Sequence, residues 1–359
     1  MIDRLIRLKN GSPFFGALIR TIRFPVDCLL LVYGATYHKL FGLTPKISHL
    51  ALVRVFIFTD GKMNDLISFF LSIVYPPLHL HSLSDGLLGG VAESEYHEIQ
   101  SKLEKDGYYV LENRLSAQYC EKLEAKLSDL SYQIRGDKLK PEELARLYKY
   151  DRSNIIAPHY VLERNAVTSL SEVQELISDP VLIRIAQSYL RSQAIFTGLT
   201  LDWTPPLGGI KDDAAAQLYH WDMERIKWIR FFIYLTDVDH ESGPHCFVKG
   251  THLSGSIPRN LINRGYARIS DEEVLNVFGA TRILEFVGKK GTIVIEDSRG
   301  LHKGLGAISK ERLLMAFELS NSTFGNNKRH TITKIHSPRF RDLIAAYPRL
   351  YSNFDFNEV

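Results

Sequence analysis

The chain has 359 residues, of which 45% are hydrophobic and 24% are charged, and its formal net charge is +3. This length and composition are typical of a globular protein with one large core, or with a core and a smaller accessory unit. A net charge so close to zero argues against a dedicated nucleic-acid binder, which usually carries a strong basic stripe. Three cysteines, far apart and without C-x-x-C spacing, fit a reducing compartment, so we predict a cytoplasmic protein.

Residues 1–92 are hydrophobic and basic and are interrupted by Pro and Gly, which predicts an accessory region of short helices. Their apolar runs are shorter than the roughly 20 residues that span a bilayer. Residues 1–56 hold eight Lys or Arg against two Asp, a net charge of +6. Such a stretch can make peripheral contact with an anionic membrane. The simpler alternative is a helical layer with its apolar side on the core and its basic side in solvent.

Residues 93–192 are predicted to be mainly helical, with one short strand at 107–111 and a charged loop or helix at 135–152. Ser116, and Asp179 before Pro180, are typical first residues of helices. Residues 194–325 change to short β-branched and aromatic runs, each ended by Gly, Pro or Asp. Six predicted strands, at 194–203, 217–222, 228–236, 282–287, 292–296 and 312–320, indicate a mainly β, jelly-roll, cupin-like core with flanking helices.

Residues 326–359 form a basic C-terminal extension that could cover the mouth of the barrel or make an oligomer contact. The predicted organisation is therefore an accessory region at 1–92, a catalytic domain at 93–325 and this extension.

Three side chains form a candidate metal site. In a strand, residues i and i+2 point to the same side, so His220 and Asp222 can bind one ion while Trp221 points away. His302 follows the predicted strand at 292–296 and can supply the third ligand. Two imidazoles and one carboxylate are the ligand set of the facial triad in non-haem Fe(II) oxygenases.

Arg312 opens a strand whose alternate residues form an unbroken apolar face, from Leu313 to Leu319. Arg312 itself points to the other side of that strand. Because a lone buried guanidinium is costly, it needs an anionic partner. A dicarboxylate co-substrate could fill that role through a two-pronged contact, and a structural ion pair with Glu311 or Glu318 is the alternative.

The motif Gln217-Leu-Tyr-His-Trp-Asp222, the run at 230–239, the turn Glu241-Ser-Gly-Pro244 and the segment at 297–304 followed by Arg312 resemble phytanoyl-CoA dioxygenase-like proteins. The resemblance covers about residues 93–322. It implies a double-stranded β-helix with Fe(II) on His220, Asp222 and His302, and with Arg312 on the distal carboxylate of 2-oxoglutarate.

The same resemblance implies a co-substrate contact at Gln217, although Gln217 lies on the opposite side of an ideal strand from His220. It also implies hydroxylation of an unidentified small-molecule, acyl or lipid-linked substrate by dioxygen, with release of succinate and CO2. The carboxylate of Asp222 favours hydroxylation over halogenation, because halogenating relatives carry a small residue at that place.

Some features of the sequence leave alternatives open. The family's Pro-Gly-Ser-His turn is Lys249-Gly-Thr-His252 in this chain. His245 and His252 lie nearer to Asp222 in the sequence than His302 does, so either one is an alternative third ligand. A non-catalytic metal-binding barrel and a 2-oxoglutarate-independent, cupin-like metalloenzyme are alternative functions.

Overall fold

The computed structural model describes residues 13–80, 86–212 and 216–356, which contain twelve α-helices and thirteen strands. The amphipathic start of the chain, at residues 1–7, lies outside these ranges. The helices are α1 Pro13–Phe41, α2 Lys46–Thr59, α3 Lys62–Val74, α4 Glu93–Asp106, α5 Ala117–Leu127, α6 Pro141–Leu144, α7 Arg164–Thr168, α8 Ser171–Ile177, α9 Pro180–Leu190, α10 Arg259–Ile262, α11 Asp271–Phe278 and α12 Pro338–Ala346. The strands are β1 Tyr108–Leu111, β2 Ser131–Arg135, β3 Leu147–Lys149, β4 His159–Leu162, β5 Ile195–Thr204, β6 Trp228–Tyr234, β7 His245–Val248, β8 Ile283–Phe286, β9 Ile293–Glu296, β10 His302–Gly304, β11 Arg312–Ser320, β12 His330–Ile332 and β13 Phe354–Phe356.

The predicted jelly-roll core is confirmed. Eight strands form one antiparallel sheet in the order β1-β9-β6-β11-β5-β4-β2-β3, and three strands form a second sheet in the order β10-β7-β8. The two sheets face each other across a small apolar cluster, in which Phe232 and Leu314 of the large sheet meet Phe247 and Phe286 of the small one. This arrangement produces the two-layered sandwich that is typical of the fold.

Helices cover the outer face of the large sheet. Strand β11 turns Leu313, Met315, Phe317 and Leu319 towards this helical layer, and all four belong to the main hydrophobic core. Alternate residues of the same strand therefore face the inside of the sandwich, as the predicted one-sided pattern requires. Two predicted helix starts are confirmed, because Ser116 caps α5 and the Asp179 side chain caps α9.

The N-terminal residues form helices α1 to α3, as predicted, but α1 has 29 residues and continues through Pro25, so it is longer than the short helices that the Pro and Gly residues predicted. Asp60 and Gly61 form the turn between α2 and α3. Asp60 adopts a left-handed conformation, and Gly61 has a φ of 78°. The core-facing side of α2 places Val53 and Phe56 against Trp221 in a buried cluster. Within the described ranges, no helix combines the length and the apolar character needed to cross a membrane.

The C-terminal residues complete the core. Strands β12 and β13 form a small parallel pair, and α12 lies between them in the sequence. Phe340 and Tyr351 are fully buried in the main core, and Tyr351 stacks on Phe196 of β5 with the ring centroids 5.5 Å apart.

Two local predictions differ from the structure. Residues 217–222 do not form a regular strand, because Tyr219 and His220 each make only an isolated bridge, to Ile269 and His302 respectively. The segment lies between two different partners, so no continuous ladder can form. Within residues 93–192 the helical prediction missed β2, β3 and β4, which extend the large sheet at its edge, and the charged segment at 135–152 contains α6 and β3.

Candidate metal centre

Backbone hydrogen bonds bring the three predicted ligands together. His220 and His302 form a reciprocal antiparallel bridge, in which each N–H donates to the other residue's carbonyl oxygen at 3.0 and 2.9 Å. The N–H of Asp222 donates to the carbonyl oxygen of Ser298 at 3.0 Å. The segment of His220 and Asp222 is thus paired with the loop that ends at His302, which places the three side chains side by side.

The three side chains have the spacing of a metal site. One ligand atom from each of His220, Asp222 and His302 lies within 4.8 Å of the others. Nε2 of His302 lies 3.8 Å from Oδ2 of Asp222, and the two imidazole rings are 4.3 Å apart between centroids. Within the described ranges these three residues are the one group that meets this criterion.

The backbone also orients both imidazoles. Nδ1 of His220 lies 2.8 Å from the carbonyl oxygen of Leu218, and Nδ1 of His302 lies 2.9 Å from that of Gly300. Since a carbonyl can only accept, each Nδ1 carries the proton and each Nε2 keeps its lone pair for a metal. Among the described residues, Nε2 of His302 is buried without a hydrogen-bond partner, and Oδ2 of Asp222 is buried with only the ion pair to Arg230, so a bound cation would satisfy both atoms. The residues therefore fit a divalent metal.

The electrostatic environment favours the protonation states that ligation needs. Burial lowers the pKa of His302 to about 4, and burial also lowers the pKa of His220, so both rings are neutral at pH 7. Burial opposes ionisation of Asp222, but the guanidinium of Arg230 favours it, and the pKa of Asp222 lies below its usual value. Nη1 of Arg230 lies 3.2 Å from Oδ2 of Asp222. Two neutral imidazoles and a carboxylate are the forms that bind a metal.

Arg312 is buried and has no carboxylate partner among the residues that the structure describes. Its guanidinium donates to the carbonyl oxygen of Gly243 and, at 3.2 Å, to the hydroxyl of Thr204, while its Nε is buried without a hydrogen-bond partner. The alternative of a structural ion pair is wrong for both predicted partners. Glu311 pairs with Arg152 instead.

The second predicted partner, Glu318, binds two other arginines. Nε of Arg225 lies 3.2 Å from one of its carboxylate oxygens, and Nη2 of Arg230 lies 3.3 Å from the other. Arg230 thus lies between Glu318 and Asp222. The guanidinium of Arg312 is left with two neutral acceptors, so a negatively charged ligand could still satisfy it.

Both histidines and Arg312 line one cavity of about 260 Å³ inside the sandwich. Strand register explains its walls, because Arg312 is paired with Thr204, Ala316 with Thr200 and Phe232, and Glu318 with Gly198 and Arg230. Further polar side chains on the wall are Arg135, His159 and Asp202. The cavity therefore combines an apolar strip with charged groups at several places.

The two alternative third ligands, His245 and His252, make contacts other than metal ligation. His245 reaches the cavity wall, but its Nε2 lies 2.8 Å from Oε2 of Glu296 and its ring stacks on Phe232. Burial and two nearby arginines lower the pKa of His245 to about 3, while burial raises the pKa of Glu296 to about 7. His252 lies beneath the backbone of Gly107, and its Nε2 is 3.2 Å from the carbonyl oxygen of Glu104. Neither belongs to the grouped ligands.

Gln217 is buried in the loop that precedes His220. Its side-chain oxygen accepts a hydrogen bond of 2.9 Å from the N–H of Asp212, and it does not line the cavity. Its predicted contact with the co-substrate stays a prediction.

Sequence reasoning missed Arg230 and Arg299. Arg230 lies in a strand that was predicted, but its contact with Glu318 depends on the pairing of β6 with β11, which the sequence does not show. Arg299 lies in the loop that ends at His302, and it contacts Asp297 of the same loop and Asp65 of α3. The partner in the same loop was visible in the sequence, whereas the partner in α3 was not.

The jelly-roll fold and the grouped His-Asp-His side chains define a class of double-stranded β-helix metalloproteins. Residues 103–312 match the family model described as phytanoyl-CoA dioxygenase (PhyH), which spans more than half of the chain. The chain belongs to this family. The family depends on Fe(II) and 2-oxoglutarate, and the protein is accordingly a 2-oxoglutarate-dependent non-haem iron enzyme that uses dioxygen.

Solved structures with similar folds include the non-haem α-ketoglutarate-dependent epimerase SnoN from nogalamycin biosynthesis, with a TM-score of 0.46 and 16% identity over 64% of this chain and 84% of that chain. HygX from Streptomyces hygroscopicus, with nickel, 2-oxoglutarate and hygromycin B bound, has a TM-score of 0.46 and 12% identity over 70% and 94%. EctD from S. alaskensis has a TM-score of 0.42 and 19% identity over 68% and 81%. The comparison with curated proteins gave no match.

Proposed function

We propose that the protein hydroxylates an organic small-molecule, acyl or lipid-linked substrate, with release of succinate and CO2. In this proposal His220, Asp222 and His302 hold Fe(II), and Arg312 binds the distal carboxylate of 2-oxoglutarate. The observation that carries it is the presence of both histidines and an arginine without a carboxylate partner in one cavity. When bound, the iron and 2-oxoglutarate together activate dioxygen for oxidation of the substrate.

The protein's own residues would prepare this site before any ligand binds. The carbonyl oxygens of Leu218 and Gly300 fix the rings of the two histidines, so their Nε2 atoms point to one place. Arg230 keeps Asp222 ionised. This carboxylate supports hydroxylation rather than halogenation, because it fills the position that a halide would need.

Arg312 would set the orientation of the co-substrate. The carbonyl of Gly243 and the hydroxyl of Thr204 hold the guanidinium at the cavity wall. A guanidinium can form two parallel hydrogen bonds with one carboxylate, which suits a dicarboxylate whose other end binds metal. Family membership favours this function over a non-catalytic barrel or a 2-oxoglutarate-independent metalloenzyme. So does Arg312, which has no carboxylate partner among the described residues.

The polar part of the cavity wall supports a substrate that carries at least one polar or charged group. Arg135 and the pair of His159 and Asp202, which are 2.8 Å apart, line the cavity along with the proposed site. These side chains would orient the substrate by hydrogen bonds, while Phe232 and Leu314 would contact its apolar part.

We also propose that residues 93–325 form the catalytic domain, with residues 1–92 as an accessory helical region and residues 326–359 as an extension. The buried Phe340 and Tyr351 support a structural role for the extension rather than a cover over the barrel mouth. Cys28, Cys120 and Cys246 are all unpaired, which supports the proposed location in the reducing cytoplasm.

The test is anaerobic addition of Fe(II) followed by 2-oxoglutarate to the whole protein. We expect a weak charge-transfer band in the visible range that is absent from the His220→Ala and Asp222→Ala variants. Replacement of Arg312 by Gln removes charged hydrogen bonds, each of which contributes about 1.5–3 kcal/mol, so 2-oxoglutarate should bind roughly tenfold to a hundredfold more weakly.

The matched control is Arg264→Gln, because Arg264 is an exposed arginine that pairs with Glu273. This variant should bind iron and 2-oxoglutarate like the unmodified protein. The absence of a band at saturating Fe(II) and 2-oxoglutarate would count against the proposed iron site. A band that forms with equal affinity in the Arg312→Gln variant would rule out the proposed role of Arg312.

A further inference from the structure

Helix α1 presents a continuous apolar stripe to its surroundings. Its members are three, four or seven residues apart, so they share one helical face. They are Leu18, Ile22, Val26, Leu29, Tyr33 and Leu40, and their exposed fractions range from 44% to 70%. At 1.5 Å per residue, the stripe is about 33 Å long.

Helix α3 carries a second stripe of the same kind. Leu66, Phe69, Phe70 and Ile73 lie along one face and are 48% to 62% exposed. Both helices contact one buried cluster around Leu52 of α2. The stripes of α1 and α3 therefore belong to the same helical layer, and together we call them the apolar face. Exposed apolar patches of this extent usually mark an interaction site.

The buried side chains that the structure describes on α1 and α3 are polar, although Leu31, Ile67 and Leu71 also pack, partly buried, on the cluster around Leu52. Asp27 of α1 is buried, and its carboxylate accepts from Arg54 of α2 at 2.6 Å. Asn64 of α3 is fully buried, and its Nδ2 donates to the carbonyl oxygen of Arg225 at 2.9 Å. A surface helix in water normally shows the opposite distribution, with its apolar side inward. The exposed apolar stripes of α1 and α3 therefore indicate that the outward surroundings of these two helices are not only water.

The charges of the layer are predominantly positive. Residues 13–80 hold six basic residues, which are Arg20, Arg23, Lys39, Lys46, Arg54 and Lys62, and three acidic ones. Asp27 is buried and pairs with Arg54, whereas Asp65, which pairs with Arg299, is 45% exposed. Lys39, Lys46 and Lys62 are exposed. Residues 13–80 therefore carry a net charge of +3, to which three exposed lysines contribute.

We propose that the apolar face binds the surface of an anionic lipid membrane. In this arrangement α1 and α3 lie in the plane of the interface, with their apolar stripes among the acyl chains and the lysines near the headgroups. Helix α1 could not be surrounded by lipid, since its other side packs on α2 through Asp27. Tyr33, Phe69 and Phe70 supply the aromatic side chains that favour such interfaces.

The positive charge distinguishes this partner from a second copy of the chain. In a two-fold dimer each copy presents the same surface, so two surfaces of net positive charge would face one another. Like charges at such an interface oppose association, whereas anionic headgroups attract them. The face is therefore better suited to a lipid surface than to self-association.

The test is co-sedimentation of the full chain with phosphatidylglycerol vesicles and with phosphatidylcholine vesicles. We expect binding to phosphatidylglycerol that weakens with salt, and little binding to phosphatidylcholine. The double variant Ile22→Asn/Leu29→Asn should reduce partitioning at least tenfold, because both side chains are largely exposed and would enter the acyl region. Lys39→Gln and Lys46→Gln should each reduce it roughly fivefold.

The control is Leu147→Asn/Ile308→Asn, which replaces two exposed apolar residues of the catalytic part and should bind like the unmodified chain. Three outcomes would overturn the proposal. They are no binding to phosphatidylglycerol vesicles at low salt, equal binding by the Ile22→Asn/Leu29→Asn variant, and a dimer in analytical ultracentrifugation that this variant abolishes. The test needs neither iron nor substrate, so it is independent of the proposed catalytic function.

Discussion

A buried charge network stabilises the loop that leads to His302. Nη2 of Arg299 donates to the carboxylate of Asp297 at 2.8 Å, and its Nη1 donates to Asp65 at 2.7 Å. The hydroxyl of Tyr189 donates to Asp297 at 2.5 Å. Asp297 is completely buried and Arg299 is 6% exposed. Arg299 is thus the cation that compensates a carboxylate with no access to water.

Replacement of Arg299 by Met should destabilise the fold strongly. Methionine keeps much of the packing of the arginine stem, so the main loss is the charge that faces Asp297. Removal of one partner from a buried ion pair costs about 3–5 kcal/mol, because the other charge is left buried and uncompensated. For a chain of this size, that loss corresponds to a melting temperature lower by roughly 4–7 °C.

The effect should depend on pH in a defined direction. Burial opposes ionisation of Asp297, but Arg299 and Tyr189 outweigh it and hold the pKa of Asp297 below its usual value. The network therefore stabilises the protein above the pKa of the unfolded chain and loses this contribution as the pH falls through the folded pKa. Without Arg299, burial alone should raise the pKa of Asp297 in the folded variant. The variant can then protonate Asp297 in mild acid, which removes the uncompensated charge.

The measurement is thermal unfolding of both proteins in the presence of a metal chelator, at about pH 7.5 and about pH 5. The difference in melting temperature between the unmodified protein and the Arg299→Met variant should be larger at the higher pH. Arg264→Met is the control, since the pair of Arg264 and Glu273 is 38% and 36% exposed and contributes at most about 1 kcal/mol. A gap for Arg299→Met as small as that of the control, or one that is equal at both pH values, would refute the reasoning.

Two further predictions concern stability. Phe317→Ala should lower the free energy of unfolding by about 3–5 kcal/mol in urea titration, because Phe317 is 1% exposed and stacks on Phe231 at 5.0 Å. Glu172 is buried, yet Lys126 and Lys122 lower its pKa to about 2. Glu172→Gln should therefore lower the free energy of unfolding by about 1–3 kcal/mol at neutral pH. The difference in melting temperature between the two proteins should shrink below about pH 4, since a carboxyl with a lowered pKa loses its contribution in acid.

The parts of the site that follow from local geometry were predictable from the sequence. The alternation of side chains in a strand predicted which residues of β11 join the core and that Arg312 faces the other way, and both hold in the structure. His220 and Asp222 do point to one side, although only His220 lies in an isolated bridge and neither lies in the expected strand. Side-chain direction depends on extended backbone alone, so it does not require a regular ladder.

Features that depend on long-range pairing were not predictable in the same way. Arg230 contacts Asp222 and Glu318 only because β6 lies between β9 and β11 in the sheet, and strand order is not encoded in local periodicity. The contact of Arg299 with Asp65 joins residues 234 positions apart. For α1, the helical period locates the apolar stripe but does not reveal whether it faces the core or the surroundings.

The N-terminal helices α1 to α3 are part of the structure that supports the metal site. Val53 and Phe56 of α2 pack in the same buried cluster as Trp221 and Met223, the two neighbours of Asp222 in the sequence. Deletion of the layer would expose this cluster and would also remove the Asp65 carboxylate from Arg299. Loss of vesicle binding or of iron binding in such a truncated chain would then reflect a damaged fold. Substitutions of exposed residues on α1, which leave these contacts intact, separate the two functions because they change only the outward surface.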